Sequence, residues 1–305
     1  MAHILHLPSS LEVTNFAHGQ AQLIKYEIPE GSILDGTKLM DLGTRHHANI
    51  LIGAVERDDE VTIPSGDFVL RKGDKLSFVG ERRHTKEFFS HIGVNTHSVK
   101  NTLIIGGGKA AYYLAKQLIS RGIKVKIIEN SFERCEELSI LLPDAVIING
   151  DGTEQALLKE EGIETCQSFV PLTGIDEENI MLTLYAKQVS NAKVITKLNR
   201  ITFTNVINSL DLGSVISPKY ITSEAIIAYV RAKKNSMNCN IETLYHMYDS
   251  RVEAIEFFVS ENSNVTDIPL RDLKLKKHLL ICFINRNGKL SFLQVMTAYK
   301  KMTLS

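Results

Sequence analysis

The chain has 305 residues, 44% of them hydrophobic, which is enough for more than one buried core. Its 35 basic and 35 acidic residues cancel, so no net field recruits nucleic acid or an anionic bilayer. No apolar run reaches the roughly 18 to 20 residues that span a bilayer and no secretory pattern opens the sequence, while Cys135, Cys166, Cys239 and Cys282 form no CxxC pair; this fits a reducing cytoplasmic interior with buried thiols.

In chain order, residues 3–14 read as the trailing end of a preceding element. Residues 23–28 are strand-like, Leu39-Met40-Asp41-Leu42 is a short helical turn, and 50–57 is a strand that ends on Arg57 and enters an acidic turn. Ile63-Pro64-Ser65-Gly66 and Lys72-Gly73-Asp74 then lead into a strand over 75–80. From Asn101 to about Lys234 strands alternate with helical stretches, the strands lying near 102–105, 124–128, 145–148, 168–172, 193–198 and 214–216. That order predicts an α/β fold, a six-strand, Rossmann-like doubly wound parallel sheet. Asn130 with Glu133 resembles a capping box opening the second helix, and Pro143 marks its end. The last flank repeats the first: residues 252–258, Leu270-Arg271-Asp272-Leu273, and 279–286 ending on Arg286 before Asn287-Gly288. Only the first copy continues into a Pro-x-Gly, a Gly-Asp and a final strand.

The most specific local signal is Ile104-Ile105-Gly106-Gly107-Gly108-Lys109-Ala110-Ala111 between the first strand and its helix, with Glu129 closing the second strand. Gly106 permits the tight turn, Gly108 lets backbone approach a pyrophosphate, and Ala111 lets the helix lie close to the sheet. A carboxylate at the end of the second strand accepts bonds from ribose hydroxyls and repels a 2′-phosphate, so the expected ligand is NAD(H), or ATP or ADP, and not NADP(H). A structural glycine turn is the bland alternative.

Together with Arg134, with Asn149-Gly150-Asp151-Gly152-Thr153, with Leu172-Thr173 and Asp176-Glu177-Glu178-Asn179, and with the repeated flank, these residues resemble the RCK (KTN) family, the peripheral nucleotide-binding subunits of Trk-type potassium uptake systems. The resemblance covers nearly the whole chain. It implies small β-rich α+β C-lobes flanking the nucleotide lobe: residues 1–95 as a first C-lobe with a remnant of the preceding element, 96–235 as the nucleotide-binding domain, and 236–305 as a second, incomplete C-lobe. Since the family's full order is nucleotide lobe, C-lobe, nucleotide lobe, C-lobe, the chain matches the last three of four units. The site that the resemblance implies comprises Gly106, Gly107, Gly108, Lys109, Ala110, Ala111, Glu129, Asn130, Arg134, Asp151, Gly152, Thr153 and Thr173.

Several of these have plainer readings. Residues 150–153 are equally an ordinary turn with Thr153 as a helix cap, Arg134 a solvated helix-face arginine, and Thr173 the start of the next turn. Asp176-Glu177-Glu178 reads as compensation of a helix dipole rather than a metal site. His3, His6, His46 and His47 lack the spacing of metal ligands.

Tyr112/Lys116 and Tyr229/Lys233 have the TyrxxxLys spacing of short-chain reductases, but neither stands where an acid-base pair would serve a nicotinamide, and the flanks leave no substrate domain. The expectation is therefore a regulator and not an enzyme. What the resemblance implies is a cytoplasmic switch, peripheral to the inner face of the plasma membrane, whose dimer or tetramer ring gates a TrkH- or KtrB-like potassium channel or transporter. An NAD-dependent oxidoreductase, or a cyclic di-AMP sensor acting through the C-lobe, are the alternatives.

Overall fold

In the computed structural model the described residues are 1–6, 12–45, 49–94, 99–200, 207, 210–235, 241–248, 251–259, 263, 265, 266, 268–273, 279–286 and 288–292. They fall into two units, one of residues 1–8 and 97–222, the other of residues 9–96 and 223–305.

The stretch read as a trailing end is two elements that part company. α1 (Ala2–His6) lies in the first unit and β1 (Glu12–Phe16) in the second. β1 pairs antiparallel with β2 (Ala21–Glu27), from Glu12 opposite Lys25 to Phe16 opposite Ala21. After a 3-10 turn at Leu39–Asp41 comes α2 (Leu42–Arg45), then β3 (Ile50–Arg57), β4 (Glu60–Thr62), β5 (Lys75–Glu81) and α3 (Arg82–His91). The sheet order is β1-β2-β5-β3-β4. Strand alternation assigns its two faces. Tyr26 and Phe78 meet α3, with ring centroids 5.2 Å apart for Tyr26–Phe89 and 5.5 Å for Phe78–Phe88. Phe16, Ala21, Leu23, Ala54 and Val79 form the other face.

The first unit is the six-strand parallel sheet. In chain order it holds β6 (Asn101–Ile105), α4 (Lys109–Ile119), β7 (Lys124–Glu129), α5 (Phe132–Leu141), β8 (Val146–Asn149), α6 (Gln155–Glu160), β9 (Ser168–Pro171), α7 (Asp176–Val189), β10 (Lys193–Lys197) and β11 (Ser214–Ile216). The spatial order β11-β10-β9-β6-β7-β8 reverses direction at β6, where a doubly wound sheet opens a crevice between β6 and β9. Helices lie on both faces, so the middles of the central strands are apolar, as in Leu103–Ile105 and Ile127–Ile128, with polar residues toward their ends. Ile104, Val125 and Ile127 pack with Ala111, Leu114, Ala115 and Leu118 of α4 and with Ala2, Ile4 and Leu5 of α1. Leu103, Ile105, Ile128 and Phe169 pack with Leu158, Leu182 and Ala186 on the opposite side. Gly122, at φ +75°, closes α4, its N–H donating to Ile119 O at 2.8 Å. The residue that caps α5 is Ser131 rather than Asn130: its hydroxyl accepts from Arg134 N at 3.3 Å.

α8 (Pro218–Asn235) carries the chain from one unit to the other, ahead of β12 (Ile241–Met247), β13 (Val252–Phe257), a 3-10 turn at Leu270–Asp272, β14 (Phe283–Arg286) and β15 (Lys289–Phe292). β12 and β13 form one two-stranded sheet, β14 and β15 another. Tyr245, Met247, Tyr248, Val252, Ala254, Phe283, Leu290 and Phe292 pack onto the Phe16–Leu23–Val79 face of the five-stranded sheet. Polar groups fix that seam. Tyr248 Oη lies 2.7 Å from Ser77 Oγ and donates to Lys75 O at 2.9 Å, Tyr245 Oη donates to Glu12 at 2.7 Å, and Glu256 accepts from Ala17 N at 2.9 Å. Arg251 reaches Glu56, which also holds Lys75 at 3.3 Å.

Candidate functional site

The crevice is lined by the carboxyl ends of β6, β7, β8 and β9, and these bring the expected site residues to one edge of the sheet. Gly106 has φ +93°, a left-handed backbone that a side chain resists, and its N–H donates to Ile128 O at 2.8 Å. A Cβ on it would stand 3.2 Å from Leu172 C and O and from Thr173 N, so the turn lies directly on the segment after β9. Gly107 is enclosed differently. A side chain there would strike Leu138 and Glu129. Gly108, the residue before α4, has open space where a Cβ would point, as close approach by a ligand requires. Lys109 and Ala110 open the helix, and Ala111 is fully buried against the sheet.

Glu129 ends β7 facing this turn. One carboxylate oxygen accepts from Gly107 N at 2.6 Å, and the other from Ser131 N at 2.8 Å. A carboxylate offers about four acceptor positions, so two remain for ribose hydroxyls. Arg134 donates from Nε to Gly107 O at 2.7 Å and pairs with Glu137; it clasps the glycine turn and is not a solvated helix-face arginine. Asn130 enters through its backbone, its carbonyl accepting from Asn149 Nδ2 at 3.2 Å, while the same amide donates to Glu129 O at 3.1 Å. Asn149 therefore fixes the end of β7, a role that only the strand pairing reveals. Cys135 beneath it is buried, and that burial, partly offset by the Asn149 amide, pushes its thiol up and keeps it protonated.

At the end of β8, Thr153 donates from its N at 2.8 Å and its hydroxyl at 2.7 Å to Asp151 Oδ1, which holds the Asp151 carboxyl below its usual range. Thr153 is not a helix cap, because α6 begins at Gln155 after Glu154. A side chain at Gly152 would collide with Ile105. Past β9, Thr173 is tied through its N and hydroxyl to Asn179 Oδ1, and Lys197 Nζ donates to Thr173 O at 2.9 Å. Burial lowers the Lys197 ammonium below the usual lysine range, with Asp176 opposing that shift. Asp176, Glu177 and Glu178 occupy the first turn of α7, and Asp176 accepts from Asn199 N at 2.7 Å and Arg200 N at 2.8 Å. Among the described residues no group of three His, Cys, Asp or Glu is placed to hold a metal. Of the reductase-like tyrosines, Tyr112 is partly buried against the core of the first unit and Tyr229 lies exposed on α8. His46, His47 and Cys239 lie outside the described residues.

Residues 102–218 match the TrkA-N domain family and residues 23–93 the TrkA-C domain family. The Trk system potassium uptake protein TrkA homolog 1 of Methanosarcina mazei is 31% identical over 287 residues, 94% of this chain and 62% of that protein. TrkA of Halomonas elongata is 30% identical over 274 residues, 89% of this chain and 59% of that protein. The chain thus spans about three-fifths of the length of the relatives it matches. In fold it is similar to a GsuK channel bound to NAD, with a TM-score of 0.53 at 19% identity, over 77% of this chain and 42% of the channel. With both domain families matched and such relatives aligned along most of its length, the chain belongs to the TrkA family.

Proposed function

We propose that the chain is a regulatory nucleotide-binding subunit of a Trk- or Ktr-type potassium uptake system, gating a membrane pore in response to NAD(H) or to ATP and ADP. The observation that carries this reading is the Glu129 carboxylate held against the Gly107 amide at the switch point of the sheet. The proposed site is the set Gly106, Gly107, Gly108, Lys109, Ala110, Ala111, Glu129, Asn130, Arg134, Asp151, Gly152, Thr153 and Thr173. The glycine turn and the start of α4 meet the phosphates, Glu129 the adenosine ribose, and the Asp151–Thr153 turn the adenosine edge. We assign residues 1–95 to a first C-lobe with a remnant of the preceding element, the part that packs with the parallel-sheet unit as α1, 96–235 to the nucleotide lobe and 236–305 to a second C-lobe.

Within the described residues no helix is long and apolar enough to cross a membrane, which suits a peripheral subunit that acts on a TrkH- or KtrB-like partner as a dimer or tetramer at the inner face. A switch of this kind needs a ligand that binds two arrangements of the assembly unequally, since equal binding to both shifts nothing. Calorimetric titration with NADH, NAD, ATP, ADP, NADPH and cyclic di-AMP tests the reading. Micromolar binding of nucleotides with a free 2′-hydroxyl, weaker binding of NADPH, and loss of about tenfold or more in Glu129→Ala are expected. Equal binding of NADH and NADPH would refute the role given to Glu129, and potassium flux unchanged by a bound nucleotide would refute the gating role.

A further inference from the structure

We infer that Asn179 is a positioning residue for the second half of the nucleotide crevice, an inference that rests on the nucleotide reading above. β9 ends at Pro171, and beyond it Leu172 N still donates to Ile105 O at 2.7 Å. The next residue, Thr173, is outside the ladder. Lys197 reaches its carbonyl, and the group that holds its N–H, its hydroxyl and its carbonyl together is one side-chain amide. Asn179 Oδ1 accepts from Thr173 N at 3.0 Å and from Thr173 Oγ1 at 2.9 Å, while its Nδ2 donates to Thr173 O at 3.3 Å and to Lys197 O at 3.0 Å. The amide thereby joins the β9–α7 loop to the end of β10, and every bond it makes is to backbone or to Thr173.

The consequence for the site follows from Gly106, whose missing Cβ leaves room for Leu172 C and O and Thr173 N at 3.2 Å. The glycine turn rests on the residues that Asn179 clamps. Asn179 is fully buried in the first turn of α7, one turn before the equally buried Thr183. A leucine or alanine would serve packing alone at such a place, and an amide there has to be satisfied on all sides to be tolerated. All of its partners lie along the β9 and β10 side of the switch point, where a dinucleotide extends and a mononucleotide on the β6–β7 side does not reach.

The test is titration of wild type, Asn179→Leu and Asn179→Asp with NADH and with AMP, alongside thermal unfolding. The expected result is a loss of about tenfold or more in NADH affinity in Asn179→Leu, with AMP affinity kept within about threefold. Asn179→Asp keeps the shape and the acceptor used by Thr173 but not the donor to Thr173 O and Lys197 O. It should show the same split and stands in if the leucine variant does not fold. Unchanged NADH binding in both variants, or NADH and AMP weakened equally, would overturn the inference while leaving the site intact. A wild-type chain that bound no nucleotide would instead overturn the site reading and this inference with it.

Discussion

The two arginine-ended hairpins of the antiparallel unit share a register and differ in what the arginine meets. Arg57 stands opposite Glu60 and Arg286 opposite Lys289, each across a two-residue turn. Arg57 grips Asp74 with two bonds of 2.7 Å, donates to Val69 O at 2.8 Å and stacks over Phe68 at 4.7 Å. The Asp74 carboxylate is 1% exposed and also accepts from Arg71 N at 2.8 Å. By contrast, Arg286 Nε and Nη2 are buried with no hydrogen-bond partner among the described residues. The strands differ in the same sense: Ile24 and Tyr26 of β2 are covered, whereas Ile255 and Phe257 of β13 are 46% and 59% exposed. A hairpin is a local object and both stretches build it. The partner of Arg57 comes from the Gly73-Asp74 turn 17 positions on, whereas residues 287–305 hold no Gly-Asp pair.

The contrast breaks most sharply at Asp74. Asp74→Ala leaves a partly buried guanidinium unpaired and should cost about 3 to 5 kcal/mol in urea unfolding of the antiparallel unit; a loss below about 1 kcal/mol would mean the pair does not hold the five-stranded sheet. Next in size is the seam between the five-stranded sheet and β12 to β15. Tyr248→Phe keeps the ring and forfeits the bonds to Ser77 and Lys75 O, about 1 to 2 kcal/mol by the same measurement. Burial tends to raise the Glu56 carboxyl, but Lys25, Lys75 and Arg251 outweigh it and hold the group below the usual glutamate range. Because the folded form binds its proton less readily than the unfolded chain, its contribution is complete above the ordinary glutamate range and is lost as pH falls through the lower, folded value. The stability of Glu56→Gln should therefore fall less steeply than wild type below about pH 4.5. Smallest is Arg286→Met, expected to change stability by no more than about 0.5 kcal/mol or to raise it, since it removes an unpaired buried polar group. A loss as large as that of Asp74→Ala would show that Arg286 is held by a carboxylate as Arg57 is.

What the sequence made legible was local. The strands flanking the glycine turn, the acid at the end of β7 and the Leu-x-Asp-Leu turns carry their signals within a few residues, and they emerge within a residue or two of the expected positions. Misreadings fell where a distant group decides. Glu12–Phe16 has no strong pattern of its own and becomes a strand through pairing with β2. Ser131 displaces Asn130 as the cap because its hydroxyl, and not the amide, reaches Arg134 N. Arg134 looks like a surface arginine until the turn brings the Gly107 carbonyl to it. Asn149 and Asn179, which fasten the two sides of the crevice, bond to strands whose order no local pattern announces.

The seam between the five-stranded sheet and β12 to β15 also sets a timetable for synthesis. Glu256 caps Ala17 across 239 positions of chain, and Met247 and Tyr248 complete a core begun by Phe16, Ala21 and Leu23. At roughly 5 to 20 residues per second, the apolar face of the first sheet waits on the order of ten to fifty seconds for its cover, while residues 97–222 of the parallel-sheet unit are made in between. Until then the residues that cover that face have not been made, and that interval is when a chaperone, or a neighbouring chain on the same message, has access to it.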